Sequence, residues 1–238
     1  MGEWIYGRQV ARLALAAGAR RRAVRLAATA PALRALRADL PAGLRREVVD
    51  AETLEALTGS REHQGVALEV PAYPYADAGE LLGADLLLVL DEVSDPHNLG
   101  AVARSALAAG CAGLVVSRHR AAHVTPAAVK ASAGTLEHLP VAQVTNVMRF
   151  LQDAKAAGFW VYGAAGDGGV EYSGLDLRDR VALVLGAEGR GLRPLVARTC
   201  DALAAIPMRP PVESLNVSVA AALFLFEAVR QRRAGDLR

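Results

Sequence analysis

From residue 85 onward the chain repeats one pattern: a short continuous apolar run, a loop, then a helix-like segment. The apolar runs fall at 86–90, 113–116, 159–162, 181–185 and 203–206, and almost no polar residue interrupts them. Helical segments near 99–109, 126–132, 146–157 and 192–199 lie between. Strands that are apolar on both faces belong to a parallel sheet covered by helices on both sides, so the pattern predicts an α/β fold. In such sheets ligands bind at the carboxyl ends of the strands, and the loops that follow the strands are where function is expected.

Residues 1–72 read differently, as a small α/β unit of short alternating pieces. Val10, Leu13, Ala14 and Ala17 form a helical stripe that Gly18 ends. Strand candidates lie at 23–27, 47–49 and 66–70, and helices at 32–40 and 51–57, the latter closed by Gly59. Pro71, Pro74 and Gly79 mark a linker. The predicted organisation is therefore 1–72, a linker over 73–82, and a second domain over 83–238.

Charge and cysteine content exclude more than they assign. A formal charge of +2 does not by itself mark a nucleic-acid binder. The first 72 residues carry 11 Arg against 8 acidic groups, with Arg20-Arg21-Arg22 and Arg45-Arg46 among them. A solvated surface and an RNA-binding face both account for such runs. Cys111 and Cys200, both in apolar contexts, read as buried thiols of a reducing compartment. No run is long enough to span a membrane and no signal-peptide pattern opens the chain, so the expectation is a cytoplasmic protein. The histidines are scattered, which predicts no metal site. G-x-S-x-G, the P-loop lysine and the dinucleotide pattern G-x-G-x-x-G are all missing, which disfavours a nucleotide-dependent oxidoreductase.

Three loops carry candidate chemistry. The first runs from Asp91 through Asp95-Pro96-His97-Asn98-Leu99-Gly100 to Arg104, with Asn98 a plausible helix cap. Small neighbours at Gly100, Ala101 and Ala108 leave room for Arg104 to grip an anion bidentately, although an ordinary surface arginine fits the same pattern. His97 ranks below Arg104, having no visible carboxylate partner. The second loop, Leu185-Gly186-Ala187-Glu188-Gly189-Arg190-Gly191, places three glycines after a strand, as expected where backbone crowds a ligand. Glu188 is there either a turn residue or a carboxylate aimed into a site. The third, from Ile206-Pro207-Met208 through Pro210-Pro211 to Ser214-Leu215-Asn216, is an extended proline loop. It opens a helix that is apolar nearly all round and reaches Arg230, so the helix is either central to the monomer or partly faces a second subunit.

Together these loops resemble the motifs of the SpoU family of RNA ribose 2′-O-methyltransferases, within the SPOUT superfamily, over roughly residues 85–232. Ile5-Tyr6-Gly7 and His63-Gln64-Gly65-Val66-Ala67 resemble the small ribosomal-protein-like RNA-binding domain attached to many members. The two-part layout is similar to that of bacterial enzymes that methylate a guanosine ribose in large-subunit (23S) ribosomal RNA. The resemblance implies a parallel SPOUT sheet with a C-terminal trefoil knot, S-adenosylmethionine as cofactor without a metal, ribosomal RNA as partner, and a homodimer. Gly186, Ile206 and Leu215, with Leu185, Ala187 and Met208, would contact the cofactor. Arg104 and Asn98 would address the target ribose and its phosphate, and Glu188, Ser214 and Asn216 would position Arg104 and the substrate. A transfer-RNA ribose methyltransferase and a non-catalytic RNA-binding protein on the same fold are the alternatives.

Overall fold

The computed structural model describes residues 2–17, 23–166 and 169–235. Gly18 and Arg20-Arg21-Arg22 lie outside them. Contacts divide the chain into two units, one of 1–74 with 124–138 and one of 75–123 with 139–238.

In chain order the first unit begins with β1 (Glu3–Tyr6), α1 (Arg8–Ala17), β2 (Arg25–Ala28), α2 (Ala30–Leu36), β3 (Arg45–Val48), α3 (Ala51–Thr58) and β4 (Val66–Val70). The strands form a four-stranded sheet in the order β1-β4-β2-β3, with only β2 and β3 parallel. One expected helix start moves for a local reason. Pro31 does not precede α2 but sits in its first turn, where the missing N–H has no helical acceptor to lose. α3 starts at Ala51, as expected, behind Asp50, whose carboxylate accepts from the Thr53 amide at 2.8 Å. It ends where Gly59 takes φ +65, as the sequence anticipates.

The second unit starts with α4 (Ala78–Leu81), inside the stretch read as linker. Asp77 caps it, accepting from the Gly79 amide at 2.7 Å, and Ala76 bridges Ala142. Then follow β5 (Leu86–Asp91), α5 (Pro96–Ala108) and β6 (Gly113–Ser117). The next helix, α6 (Pro126–Ala131), forms where expected, but it packs on β1 in the first unit rather than covering the large sheet. Lys130 there donates to the Glu62 carbonyl at 2.8 Å, and its ammonium lies 5.7 Å from the Tyr6 ring centre.

The rest of the second unit is β7 (Val141–Val144), α7 (Val147–Ala156), β8 (Trp160–Ala165), β9 (Val170–Glu171), β10 (Val181–Gly186), α8 (Pro194–Thr199), β11 (Ala202–Ala205) and α9 (Val217–Gly235). β7, interrupted by Gln143, and the two-residue β9, at the two edges of the sheet, do not stand out as apolar runs. The seven strands are all parallel, in the order β7-β6-β5-β10-β8-β11-β9. Every strand therefore ends at the same edge.

Alternation along the strands divides the core. Leu87 and Val89 of β5 and Ala182 and Val184 of β10 join Phe150, Leu151 and Val196 of α7 and α8 in one buried cluster. Successive side chains point to opposite faces of a sheet, so Leu86, Leu88 and Leu90 face the other way. There α5 packs against α9, and Phe224 and Leu225 are buried. Arg180 closes the amino-terminal edge: its guanidinium lies 4.4 Å from the Phe159 ring centre and donates to the carbonyls of Leu82, Ala84 and Ala157. Those carbonyls follow the ends of α4 and α7, where no helical partner is available.

Leu87 is fully buried between two parallel neighbours. Leu87→Ala is expected to lower unfolding stability by about 2–5 kcal/mol, read as a lower denaturant midpoint with an unchanged slope.

Candidate functional site

The carboxyl edge of the large sheet brings the three loops together. After β5, Asp95 rather than Asn98 caps α5, accepting from the His97 amide at 2.8 Å, and Pro96 takes the first helical position. Asn98 thus stands within the first turn with its amide free to reach across. It donates to Glu188 Oε1 at 3.0 Å. Asn216 donates to the same Glu188 oxygen and, at 2.9 Å, to Asn98 Oδ1. The Val217 amide, at the start of α9, completes the set at 3.3 Å from Glu188 Oε1. Residues 98, 188 and 216 thus form one hydrogen-bonded cluster joining all three loops.

Asn216, not Ser214, caps α9: its Oδ1 accepts from the Ser218 amide at 2.8 Å and from the Ser218 hydroxyl at 2.6 Å. Ser214 stands two residues earlier, exposed in the loop.

Beside the cluster is a cavity of about 420 Å³. Leu185, Gly186, Ala187 and Glu188 line it after β10, and Ile206, Met208, Ser214 and Leu215 line it from the loop after β11. All six residues expected to touch a cofactor are therefore wall residues of one cavity. Two further parts of the wall were not foreseen. Ala164, Ala165 and Gly166 end β8, where the glycines at 163 and 166 were the available signal; Val217, Ala220 and Phe224 come from α9, whose all-round apolar character hid the lining face. The wall mixes apolar side chains with the backbone of glycine and proline loops, so it suits a ligand with a flat apolar part and polar edges.

At Gly186 the chain crowds its own backbone. A Cβ on Gly186 would stand 2.1 Å from the carbonyl carbon and oxygen of Gly191. Gly191 donates its amide to the Ala187 carbonyl at 2.8 Å, and Gly189 and Gly191 take φ of +74 and +65. The loop is a tight ring that only glycine can close. Its exit is held by Arg193, whose guanidinium and backbone amide both bond Asp91, a side chain with no exposure at all. The Asp91 carboxylate, by hydrogen bonding first, holds the Arg193 pKa above its ordinary value.

Arg104 stands apart. It is exposed on α5, two turns beyond Asn98, and among the described residues it has no hydrogen-bond or ion-pair partner. Glu188 holds Asn98 and Asn216, and neither it nor Ser214 positions Arg104 within one chain. His97 is exposed, and its imidazole has no hydrogen-bond or ion-pair partner among the described residues.

Gly186→Ala is expected to push the Gly191 backbone aside and cost about 1–3 kcal/mol, seen as a lower denaturant midpoint and faster amide exchange over 186–193. Gly174→Ala, where nothing lies within 4 Å of the new methyl, is the control and is expected to stay within about 0.5 kcal/mol.

The SpoU rRNA methylase family matches residues 85–226, and the family of RNA 2′-O ribose methyltransferase substrate-binding domains matches residues 4–76. The chain is 46% identical over 191 residues to a 23S rRNA (guanosine-2′-O-)-methyltransferase RlmB of Xanthomonas campestris, covering 77% of each. It is 42% identical over 191 residues to an uncharacterised tRNA/rRNA methyltransferase of Synechocystis, covering 77% of this chain but only 50% of that longer protein. In structure it is similar to the SpoU methyltransferase AviRb of Streptomyces viridochromogenes, solved in complex with AdoMet, with a TM-score of 0.82, 27% identity, and coverage of 98% of this chain and 91% of that one. With two adjoining family matches and relatives of this identity, the chain belongs to the SpoU family of RNA methyltransferases.

Proposed function

We propose that this protein transfers a methyl group from S-adenosylmethionine to the 2′-hydroxyl of a guanosine ribose in 23S ribosomal RNA. The observation that carries the reading is the cluster of Glu188, Asn98 and Asn216 on the rim of the cavity that the three loops enclose. The relatives supply the substrate class: the Xanthomonas protein is named for this reaction, and AviRb holds the cofactor.

The cavity fits the cofactor by chemistry. Leu185, Ile206, Leu215 and Phe224 offer an apolar slot for a planar base, and the turns at 186–191 and 206–215 offer backbone donors and acceptors for its polar ends. The bound cofactor supplies an electrophilic methyl group on a sulfonium. What the chain must add is alignment of the ribose hydroxyl with that methyl, which contributes about 7–11 kcal/mol of barrier lowering in well-oriented systems. Asn98 and Asn216, locked by one carboxylate, are preorganised to hold the ribose beside the cavity mouth. Arg104 grips the phosphate next to the target ribose and stabilises by charge the ribose oxygen, whose hydroxyl proton passes to solvent as the oxygen takes the methyl group.

Arg104 takes up this role in a homodimer, where a second copy completes the site. An arginine with no partner among the described residues, on a helix that packs against α9, and an exposed apolar stripe on α9 support this reading. Val219, Leu223 and Phe226, spaced along one side of α9, are 47%, 36% and 49% exposed. The trefoil knot belongs to the same proposal, supported by loops 186–191 and 206–216 lining one cavity from β10 and β11, the two strands that flank β8. So do residues 1–72 as the RNA-binding part, residues 73–82 as the connection and 83–238 as the methyltransferase, in a cytoplasmic protein. No helix among the described residues is long and apolar enough to cross a membrane.

Incubation with labelled S-adenosylmethionine and separated 23S rRNA, 16S rRNA and tRNA is expected to label one 23S guanosine ribose. Label confined to tRNA would replace the substrate, and no label in any RNA would sink the enzyme reading. Arg104→Ala and Arg104→Lys are each expected to slow single-turnover methylation by about 10²-fold, and near-full activity in the lysine variant would rule out bidentate grip. Leu223→Glu with Phe226→Glu is expected to halve the mass measured by light scattering; an unchanged dimer mass would place the interface elsewhere.

A further inference from the structure

The loop after β6 carries Arg118, His119 and Arg120, all exposed, and nothing in the reaction above uses them. The loop is braced on both sides. The Arg118 amide donates to the carbonyl of Val144, the last residue of β7, at 2.8 Å, and the Ala122 amide donates to the Val93 carbonyl after β5 at 2.8 Å. Ser117 Oγ donates to the His119 carbonyl at 2.9 Å and fixes the turn between. Arg120 takes φ +56 and pairs with Glu92 at 3.2 Å; Glu92, itself at φ +59, also faces Arg193 at 3.5 Å. Two non-glycine residues in left-handed backbone hold one ion pair, a costly arrangement that fixes the loop in place.

This bracing consumes the local negative charge. Glu92 is shared by Arg120 and Arg193, Asp91 is buried against Arg193 at 2.6 Å, and Asp95 is committed to capping α5. The Arg118 and His119 side chains have no hydrogen-bond or ion-pair partner among the described residues. Their distance from the cluster follows from the strand order: β6 adjoins β5, which leads to Asn98, and lies two strand spacings of about 4.8 Å each from β10 and Glu188. A polyanion that places one ribose at Asn98 therefore carries a neighbouring phosphate past Arg118.

We propose that Arg118 and His119 form an RNA-backbone subsite that grips a phosphodiester one or two nucleotides from the methylated ribose. The proposal rests on the RNA-methyltransferase reading above. It is sequence-independent: a guanidinium and an imidazole on a rigid loop fix the register of the strand and do not read a base.

The test is binding of protein-free 23S rRNA over a salt series, with methylation and cofactor affinity measured alongside. Arg118→Ala combined with His119→Ala is expected to weaken RNA binding about tenfold at low salt and to reduce the slope of log affinity against log salt by about 0.7–0.9 per lost phosphate contact. Affinity for S-adenosylmethionine is expected to stay at the wild-type value. Arg118→Lys with His119 intact is expected to restore the slope but only part of the affinity. Arg178→Ala, which removes a cation at the opposite edge of the sheet, is expected to keep the wild-type slope. An unchanged slope and affinity in the double variant would overturn the subsite while leaving the enzyme reading intact. A wild-type protein that methylates no RNA would instead overturn the enzyme reading, and the subsite with it.

Discussion

A carboxylate with no solvent exposure governs the carboxyl edge of the parallel sheet. Burying Asp91 unpaired would cost several kcal/mol, and the structure avoids this by giving it three donors from one residue. The backbone amide of Arg193 bonds it at 3.0 Å, Nε at 2.8 Å and Nη2 at 2.6 Å. Gly186 is the register partner of Asp91 across the β5–β10 ladder. Both ends of the stretch 186–193 are thus referred to a single position on β5. Glu188 lies between those ends, so its aim toward Asn98 and Asn216 is set by a ring that cannot drift. The Asp91–Arg193 pair contributes geometry there more than stability.

The same economy recurs at the helix entrances. Asp95 caps α5, so Asn98, one turn in, is not needed for capping and turns its side chain outward to Glu188. Asn216 does two jobs at once: its oxygen accepts from Ser218 and its nitrogen donates toward Asn98 and Glu188. A glutamate there closes the network because it only accepts hydrogen bonds and both asparagines bring donors.

The large sheet was legible because parallel strands buried on both faces leave unbroken apolar runs, and five such runs stand out in the sequence. The edge strands β7 and β9 were not legible, since pairing on one side lets a strand be short and partly polar. The cavity wall could be read wherever a turn residue marked it, as at Gly186, Ile206 and Leu215. It could not be read on α9, where Phe224 looks like any core aromatic. Hydrogen-bond partnership was the least legible part. Asn98 matched a cap by position, and only the geometry of Asp95 reassigns it. The relation of Arg104 to Glu188 also escaped the sequence, because spacing along a chain says nothing about which side chains a loop brings together.

The packing of α6 on β1 has a consequence for how the chain comes to its folded state. The first unit draws its last helix from residues 124–138, after two strands of the large sheet have already been made. During synthesis from the amino terminus, its four strands can pair early, but Ala128, Val129 and Leu136 reach their burial sites only once a further fifty or so residues have emerged. Closing that long excursion is entropically costly and slow. The chain is thus two bodies by contact but one body by order of assembly, and neither can be completed by a contiguous piece of the polypeptide.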